Sequence, residues 1–151
     1  MILLNEKHME YKLFVDGAVS GNGKKNSIGG IGMALCWSEQ EKEHCETMKC
    51  RIKNGSTNNE AEYLSLINGI IMANDYMKDK DKLRIHMDSQ LAVKQINGEY
   101  QVKNETLKIL HSEAKNLLSS ISNWSITHID REENKLADSL AREAKKLTLA
   151  Q

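Results

Sequence analysis

Proline is missing from all 151 residues, phenylalanine occurs once, and aromatic side chains make up only 5%. Without proline there is no X–Pro bond to adopt the cis form, and tight turns must come from glycine and asparagine. Gly21-Asn22-Gly23, Asn54-Gly55 and Asn97-Gly98 fit that need. No functional consequence of the missing proline follows. Long apolar runs are also missing. A membrane helix needs about 20 such residues, and nothing here approaches that, so no membrane partner is expected. The apolar start Met1-Ile2-Leu3-Leu4 turns polar at Asn5, too soon for a signal peptide, and a cytoplasmic protein is the default expectation. There are three cysteines, Cys36, Cys45 and Cys50, an odd number without metal-type spacing. They read as reduced thiols partly in the core, with Cys36 between Leu35 and Trp37. Net charge is missing too. Lys+Arg 21 balances Asp+Glu 21, which neither requires nor rules out a nucleic-acid partner, because binding depends on how charge is distributed.

What is present suits one domain over residues 1–151, with 40% hydrophobic residues to build a core. Tyr11–Val15 is aromatic and β-branched and predicts a strand ending at Asp16-Gly17. Ile28–Trp37 predicts a second strand, and Glu43–Ile52 a more polar third at an edge. Thr57 and Glu60 form a capping box for a helix carrying Leu64, Ile67, Ile70 and Ile71 at helical spacing. Leu83–Met87 predicts a fourth strand ending at Asp88. Ser89 then caps a short helix through Ile96, stopped by Asn97-Gly98. Leu107, Leu110, Ala114 and Leu117 mark another helix, Trp124–His128 a fifth strand, and Glu133–Lys146 a last helix. That helix would set Leu136, Ala137, Leu140, Ala141 and Ala144 on one face. A three-strand meander followed by strand–helix units predicts an α/β fold, a mixed sheet with helices on its faces. The alternating charges of Lys78–Lys82 read as a solvated loop, and Lys145-Lys146 as a soluble helix end. His8, His44, His86 and His111 are scattered and predict no zinc site.

Four acids stand inside polar signatures: Asp16-Gly17-Ala18, Thr57-Asn58-Asn59-Glu60-Ala61-Glu62, Asp88-Ser89-Gln90, and Arg131-Glu132-Glu133-Asn134 running to Ala137-Asp138. Singly, each has an ordinary explanation. Asp-Gly is usually a turn, Asp-Ser a helix cap, and an isolated helix aspartate a solvated charge. Their joint order says more, because each acid falls at a strand end or in the early turns of a helix. Carboxylates gathered from separate elements repel one another and need a compensating cation, and hard divalent metals take oxygen ligands. Two ions roughly 3.5–4 Å apart can clamp an in-line phosphoryl displacement, one activating water and the other stabilising the leaving oxygen. The pattern points to a metal-dependent enzyme acting on phosphates.

These blocks, with Gly21-Asn22, Gly29-Gly30-Ile31-Gly32 and Val102-Lys103-Asn104-Glu105, resemble type 1 ribonuclease H over about Tyr11 to Lys146, closest to its compact archaeal and bacterial form. The resemblance implies a ribonuclease H-like fold with sheet order 3-2-1-4-5 and strand 2 antiparallel to its neighbours. It implies an endonuclease that cuts the RNA strand of RNA–DNA hybrids, leaving 3′-hydroxyl and 5′-phosphate ends, with double-stranded RNA as a side substrate. Two Mg2+ ions, with Mn2+ as the alternative, would be held by Asp16, Glu62, Asp88 and Asp138. Asp16 would bridge both ions, Asp138 would complete the water-activating site, and Glu62 and Asp88 would serve the leaving-group side. Asn22, Asn58, Asn59 and Gln90 would read the minor groove of the hybrid, where the 2′-hydroxyl distinguishes RNA from DNA. Gly17 joins the substrate-contacting set. Thr57 and Asn104 would grip a DNA phosphate, with Lys53 a weak stand-in for the arginine that often precedes such a threonine. No obligate protein partner is indicated.

Relatives often carry a catalytic histidine before the last acid, whereas compact ones place an arginine nearer. His128 fits the first pattern by spacing and Arg131 the second. Arg131 is favoured because His128 falls at a strand end, where mobility is limited. Two rival readings are a binding module that has lost catalysis and another nuclease on the same fold. Retention of all four acids opposes the first; the Thr57-Asn58-Asn59 and Asp88-Ser89-Gln90 blocks oppose the second. Leu91–Glu105 is too short for the basic protrusion with which some relatives grip the hybrid, and no separate hybrid-binding domain is read before Tyr11. Hybrid binding is therefore expected to be weaker and to fall more steeply with salt than in relatives that have the protrusion. Equal affinities across a salt titration would contradict this.

Overall fold

The computed structural model describes residues 8–148. The Met1–Leu4 run lies outside the described residues. The elements run β1 (Glu10–Ser20), β2 (Ile28–Glu39), β3 (Lys42–Ile52), α1 (Asn58–Tyr76), β4 (Lys82–Met87), α2 (Gln90–Ile96), α3 (Glu105–Leu118), β5 (Asn123–His128), a 3-10 turn (Arg131–Glu133) and α4 (Lys135–Ala144). One five-stranded sheet results, ordered β3-β2-β1-β4-β5, as expected. The β1–β2 and β2–β3 pairs are antiparallel, whereas β4 runs parallel to both β1 and β5.

Strand alternation sorts the two faces. Leu13 and Val15 of β1, Ile31, Met33 and Leu35 of β2, and Leu83, Ile85 and Met87 of β4 are fully buried and meet α1 in the main core. The intervening Gly30 and Gly32 face α4 instead. Helix α1 is thus caught between the sheet and α3, which widens its buried arc to Ala61, Tyr63, Leu66, Ile70 and Ala73. Ile71, placed on its apolar stripe by spacing, is exposed instead.

Several local expectations need correction. β1 does not stop at Asp16. Its antiparallel ladder with β2 continues to Ser20↔Ile28, whereas its parallel ladder with β4 ends at Val15↔Met87. The last helix begins at Lys135, not Glu133, because Asn134 leaves helical geometry (φ −118°, ψ 30°) and separates α4 from the 3-10 turn. Leu136 consequently faces solvent, and the buried stripe of α4 is Ala137, Ala141 and Ala144. Asp81, read as part of a solvated loop, is buried and accepts the backbone N–H groups of Met9 and Lys78, each at 2.8 Å. In the expected capping box, Thr57 accepts from the Glu60 N–H at 3.1 Å, but the return bond is the threonine hydroxyl donating to the Glu60 carboxylate at 3.2 Å.

The cysteine expectation also fails. Cys36 and Cys45 form a disulfide, neither is in the core, and Cys50 is free and exposed. The cause is register. The two-residue turn Gln40-Glu41 sets Glu39 opposite Lys42 and, counting back, Cys36 opposite Cys45.

That turn is made without glycine or asparagine. Gln40 (φ 52°) and Glu41 (φ 65°) both adopt the left-handed region, which costs an ordinary L-residue roughly 1–2 kcal/mol. Asn-Gly is the pair that such hairpins favour. The double substitution Gln40→Asn/Glu41→Gly is expected to stabilise the protein by about 1 kcal/mol. A urea midpoint that stays put or falls would contradict this account of the turn.

Candidate active site

The unequal ends of the β1 ladders create the site. Beyond Val15 and Met87, β1 has no partner on its β4 side, so Asp16, still within β1, and Asp88, just past β4, sit at the same level of adjacent strands. Asp16 lies opposite Gly32, and so shares the sheet face that α4 covers. Gly17 turns to the α1 face, where an added Cβ would sit 2.6 Å from the Ala61 carbonyl carbon. This close approach lets Glu62, the next residue of α1, accept the Gly17 N–H at 3.0 Å. On the other face, a Cβ on Gly32 would fall 2.6 Å from the Ala141 nitrogen and clash with the Ala137 carbonyl oxygen. Glycine there lets α4 bring Asp138, in its first turn, down toward Asp16.

Donor oxygens of Asp16, Glu62 and Asp88 lie within 4.8 Å of one another. Asp138 completes the wall of the same cleft, about 450 Å3 in volume, with Gly17, Asn58, Ser89 and Arg131. Asp16 and Glu62 are buried, while Asp88 and Asp138 are half-buried. Burial, then the neighbouring Glu62 and Asp88 charges and hydrogen bonding with Glu62 and Asp138, push the Asp16 carboxyl up to about 10. Glu62 rises to about 7, chiefly through burial, against the opposing pull of Asp16, the Gly17 amide and Arg131. Without a cation the site therefore holds protons that free carboxylates would have lost. Oε2 of Glu62 is buried with no hydrogen-bond partner. A set of hard oxygen donors with one orphaned lone-pair site suits a divalent cation.

Other site residues had gone unassigned. The side chain of Asn134 is buried and donates from Nδ2 to the Val15 carbonyl at 2.9 Å, while the residue's backbone carbonyl accepts the Asp138 N–H at 3.0 Å. It ties the residue before Asp16 to the turn that carries Asp138. Its place in the Arg131–Asn134 signature was visible, but this task was not. Arg142 and Lys145 also line the cleft, and Lys145 donates to the Ser20 hydroxyl at 2.9 Å. Lys145, read from the sequence as a soluble helix end, is turned toward the cleft by the α4–β1 packing, and nothing short of that packing would have singled out Arg142.

The remaining expected residues are not among those lining the cleft. Asn22 accepts the Asn58 backbone N–H at 2.7 Å, linking the β1–β2 loop to the start of α1. Asn59 and Gln90 are exposed on the first turns of α1 and α2. Thr57 caps α1, and Asn104 caps α3 by accepting the Leu107 N–H at 3.0 Å. His128 ends β5, exposed, and is not among the residues lining the cleft. The larger cleft, about 850 Å3, opens beside the start of β1 and the end of β2, around Trp37 and Asp81. Among the described residues, no group of metal-ligating side chains other than Asp16, Glu62 and Asp88 gathers tightly enough to hold an ion.

Comparison with known proteins agrees with this geometry. The family described as reverse transcriptase-like matches residues 14–144. A ribonuclease HI of Halobacterium salinarum is 42% identical over 89 residues, covering 59% of this chain and 44% of its own length. This chain thus spans less than half of that curated relative. The crystal structure of RNase H1 from the same organism is 32% identical, covers 89% of this chain and 96% of its own, and superposes with a TM-score of 0.78. LC11-RNase H1, solved in complex with an RNA/DNA hybrid, is 30% identical with a TM-score of 0.75, over 89% of this chain and 95% of that one. No described helix is long and apolar enough to cross a membrane. With its sheet order, its acid cluster and these relatives, the chain belongs to the type 1 ribonuclease H family.

Proposed function

We propose that this chain is a divalent-metal-dependent endonuclease that hydrolyses the RNA strand of RNA–DNA hybrids, leaving 3′-hydroxyl and 5′-phosphate ends. The observation that carries the reading is the convergence of Asp16, Glu62 and Asp88 from β1, α1 and the end of β4 to within 4.8 Å. The ions are Mg2+, two per site, with Mn2+ able to substitute; when bound they activate water and stabilise the leaving oxygen. Asp16, Glu62, Asp88 and Asp138 would hold the ions, with Asp16 shared, Asp138 toward the attacking water, and Glu62 and Asp88 toward the leaving group. Arg131 contributes electrostatically from the cleft wall. A guanidinium stays protonated and cannot act as the base.

The polar side chains named above suit a hybrid. With Oδ1 of Asn22 engaged by the Asn58 amide, its NH2 group is left to donate to 2′-hydroxyls and base edges. Asn58, Asn59 and Gln90 supply further amides of that kind beside Gly17. Asn104 spends its Oδ1 on capping α3, so its NH2 group, with Thr57, serves a DNA-strand phosphate. The relative solved with an RNA/DNA hybrid supports this class of substrate. Double-stranded RNA is a secondary substrate.

Labelled RNA–DNA hybrid, duplex RNA and duplex DNA, each incubated with Mg2+, Mn2+ or chelator, test the proposal. Metal-dependent cutting confined mainly to the RNA of the hybrid is expected. Asp16→Asn and Asp88→Asn should each slow cutting by at least about 100-fold while circular dichroism stays unchanged. Normal cutting by Asp88→Asn would place the site elsewhere.

The raised acids also set a pH dependence in chelator. A carboxyl whose folded value lies above its unfolded one contributes stability that is full below the unfolded value and lost as pH climbs toward the folded one. For Glu62 that loss spans 4.5 to about 7, and for Asp16 it spans 3.8 to about 10. The metal-free protein should therefore melt at progressively lower temperature from pH 5 to 9. Asp16→Asn should flatten the decline and raise the melting temperature at pH 8. A profile that is flat and indifferent to the substitution would contradict the electrostatic account.

A further inference from the structure

Three of the four acids cluster tightly, and the fourth is already spoken for. Arg142, one turn beyond Asp138 on α4, reaches both of its oxygens, with Nη2 2.7 Å from Oδ2 and Nε 3.3 Å from Oδ1. Both residues line the acid cleft. The contact is a fork, the geometry in which a guanidinium engages both oxygens of one carboxylate. Asp138 faces the same cleft as Asp16, Glu62 and Asp88, so its oxygens are among those open to a cation there.

We propose that Arg142 is a built-in counter-ion that competes with divalent cations for Asp138 and thereby sets how readily Asp138 joins the ion-binding set. The proposal rests on the metal-dependent reading above. A carboxylate offers a limited number of lone pairs, and those taken by the guanidinium are withheld from an ion. The competitor is weak by construction. The Arg142 side chain is 62% exposed and the pair is spaced i,i+4 on a helix, a class in which solvent and side-chain entropy leave little net attraction. A rotation of Arg142 into solvent releases Asp138 without moving the backbone. Arg142 thus acts through Asp138 as a positioning residue and touches no reacting atom.

The test uses the full chain and Mn2+ as the probe, with free ion counted by electron paramagnetic resonance, alongside the Mg2+ dependence of hybrid cutting. Arg142→Gln is expected to tighten Mn2+ binding and to lower the Mg2+ needed for half-maximal cutting, each about two- to fivefold. The double variant Asp138→Asn/Arg142→Gln should bind Mn2+ as Asp138→Asn does. Unchanged or weaker Mn2+ binding by Arg142→Gln would overturn the proposal. So would equal tightening in the Asp138→Asn background, because Arg142 would then act through its charge alone. If the acid substitutions abolish cutting while Arg142→Gln leaves ion binding untouched, only this inference falls. If the acid substitutions leave cutting intact, the metal-dependent reading falls with it.

Discussion

A carboxylate buried among other carboxylates is the constraint around which the rest of this protein is arranged. Asp16 is buried, with Glu62 and Asp88 close by and Asp138 lining the same cleft. Taking an ionised group out of water costs several kcal/mol even after relaxation, and like charges nearby add to that. The fold tolerates the arrangement because its core lies elsewhere. The buried apolar residues of β1, β2 and β4 pack against α1 and hold the strands whatever the charge state at their ends. The acids are then carried on rigid elements whose ends meet, not on loops that could swing apart.

Convergence depends on two places where backbone meets backbone. Gly17 admits α1 from one face of β1, and Gly32 admits α4 from the other. A side chain at either would push a helix, and with it Glu62 or Asp138, away from Asp16. Asn134 adds a polar tie in the same spot, joining the Val15 carbonyl to the turn that opens α4. The interruption of the last helix is thus connected to the site: the residue that breaks the helix is the one that anchors it.

Much of this was legible along the chain. Apolar and β-branched runs, with alternation at Trp124–His128, placed all five strands, and the capping residues Ser89 and Thr57 marked helix starts that the structure keeps. The four acids stood out because each was embedded in a polar signature at a predicted element end. The misses share a physical character. That β1 runs on past Asp16 depends on its partner β2, which outlasts β4. The disulfide depends on cross-strand register: a hairpin link over Ser38–Lys42 is legible, but only a two-residue turn at Gln40-Glu41 pairs Cys36 with Cys45. That register was not legible because neither residue is a usual left-handed turn former. Ile71 and Leu136 carried the right spacing, yet the width and direction of each buried helix face were set by what packed against it.

Residue types and their periodicity were enough to specify the elements, their order and the four acids, because hydrophobic spacing and capping act over a few neighbouring residues. Which carboxylates touch, which one pairs with Arg142, and how far each is driven toward its neutral form arose only in the folded molecule. Those properties depend on distances between atoms far apart along the chain and on the water that packing removes, and a linear string of residues carries neither.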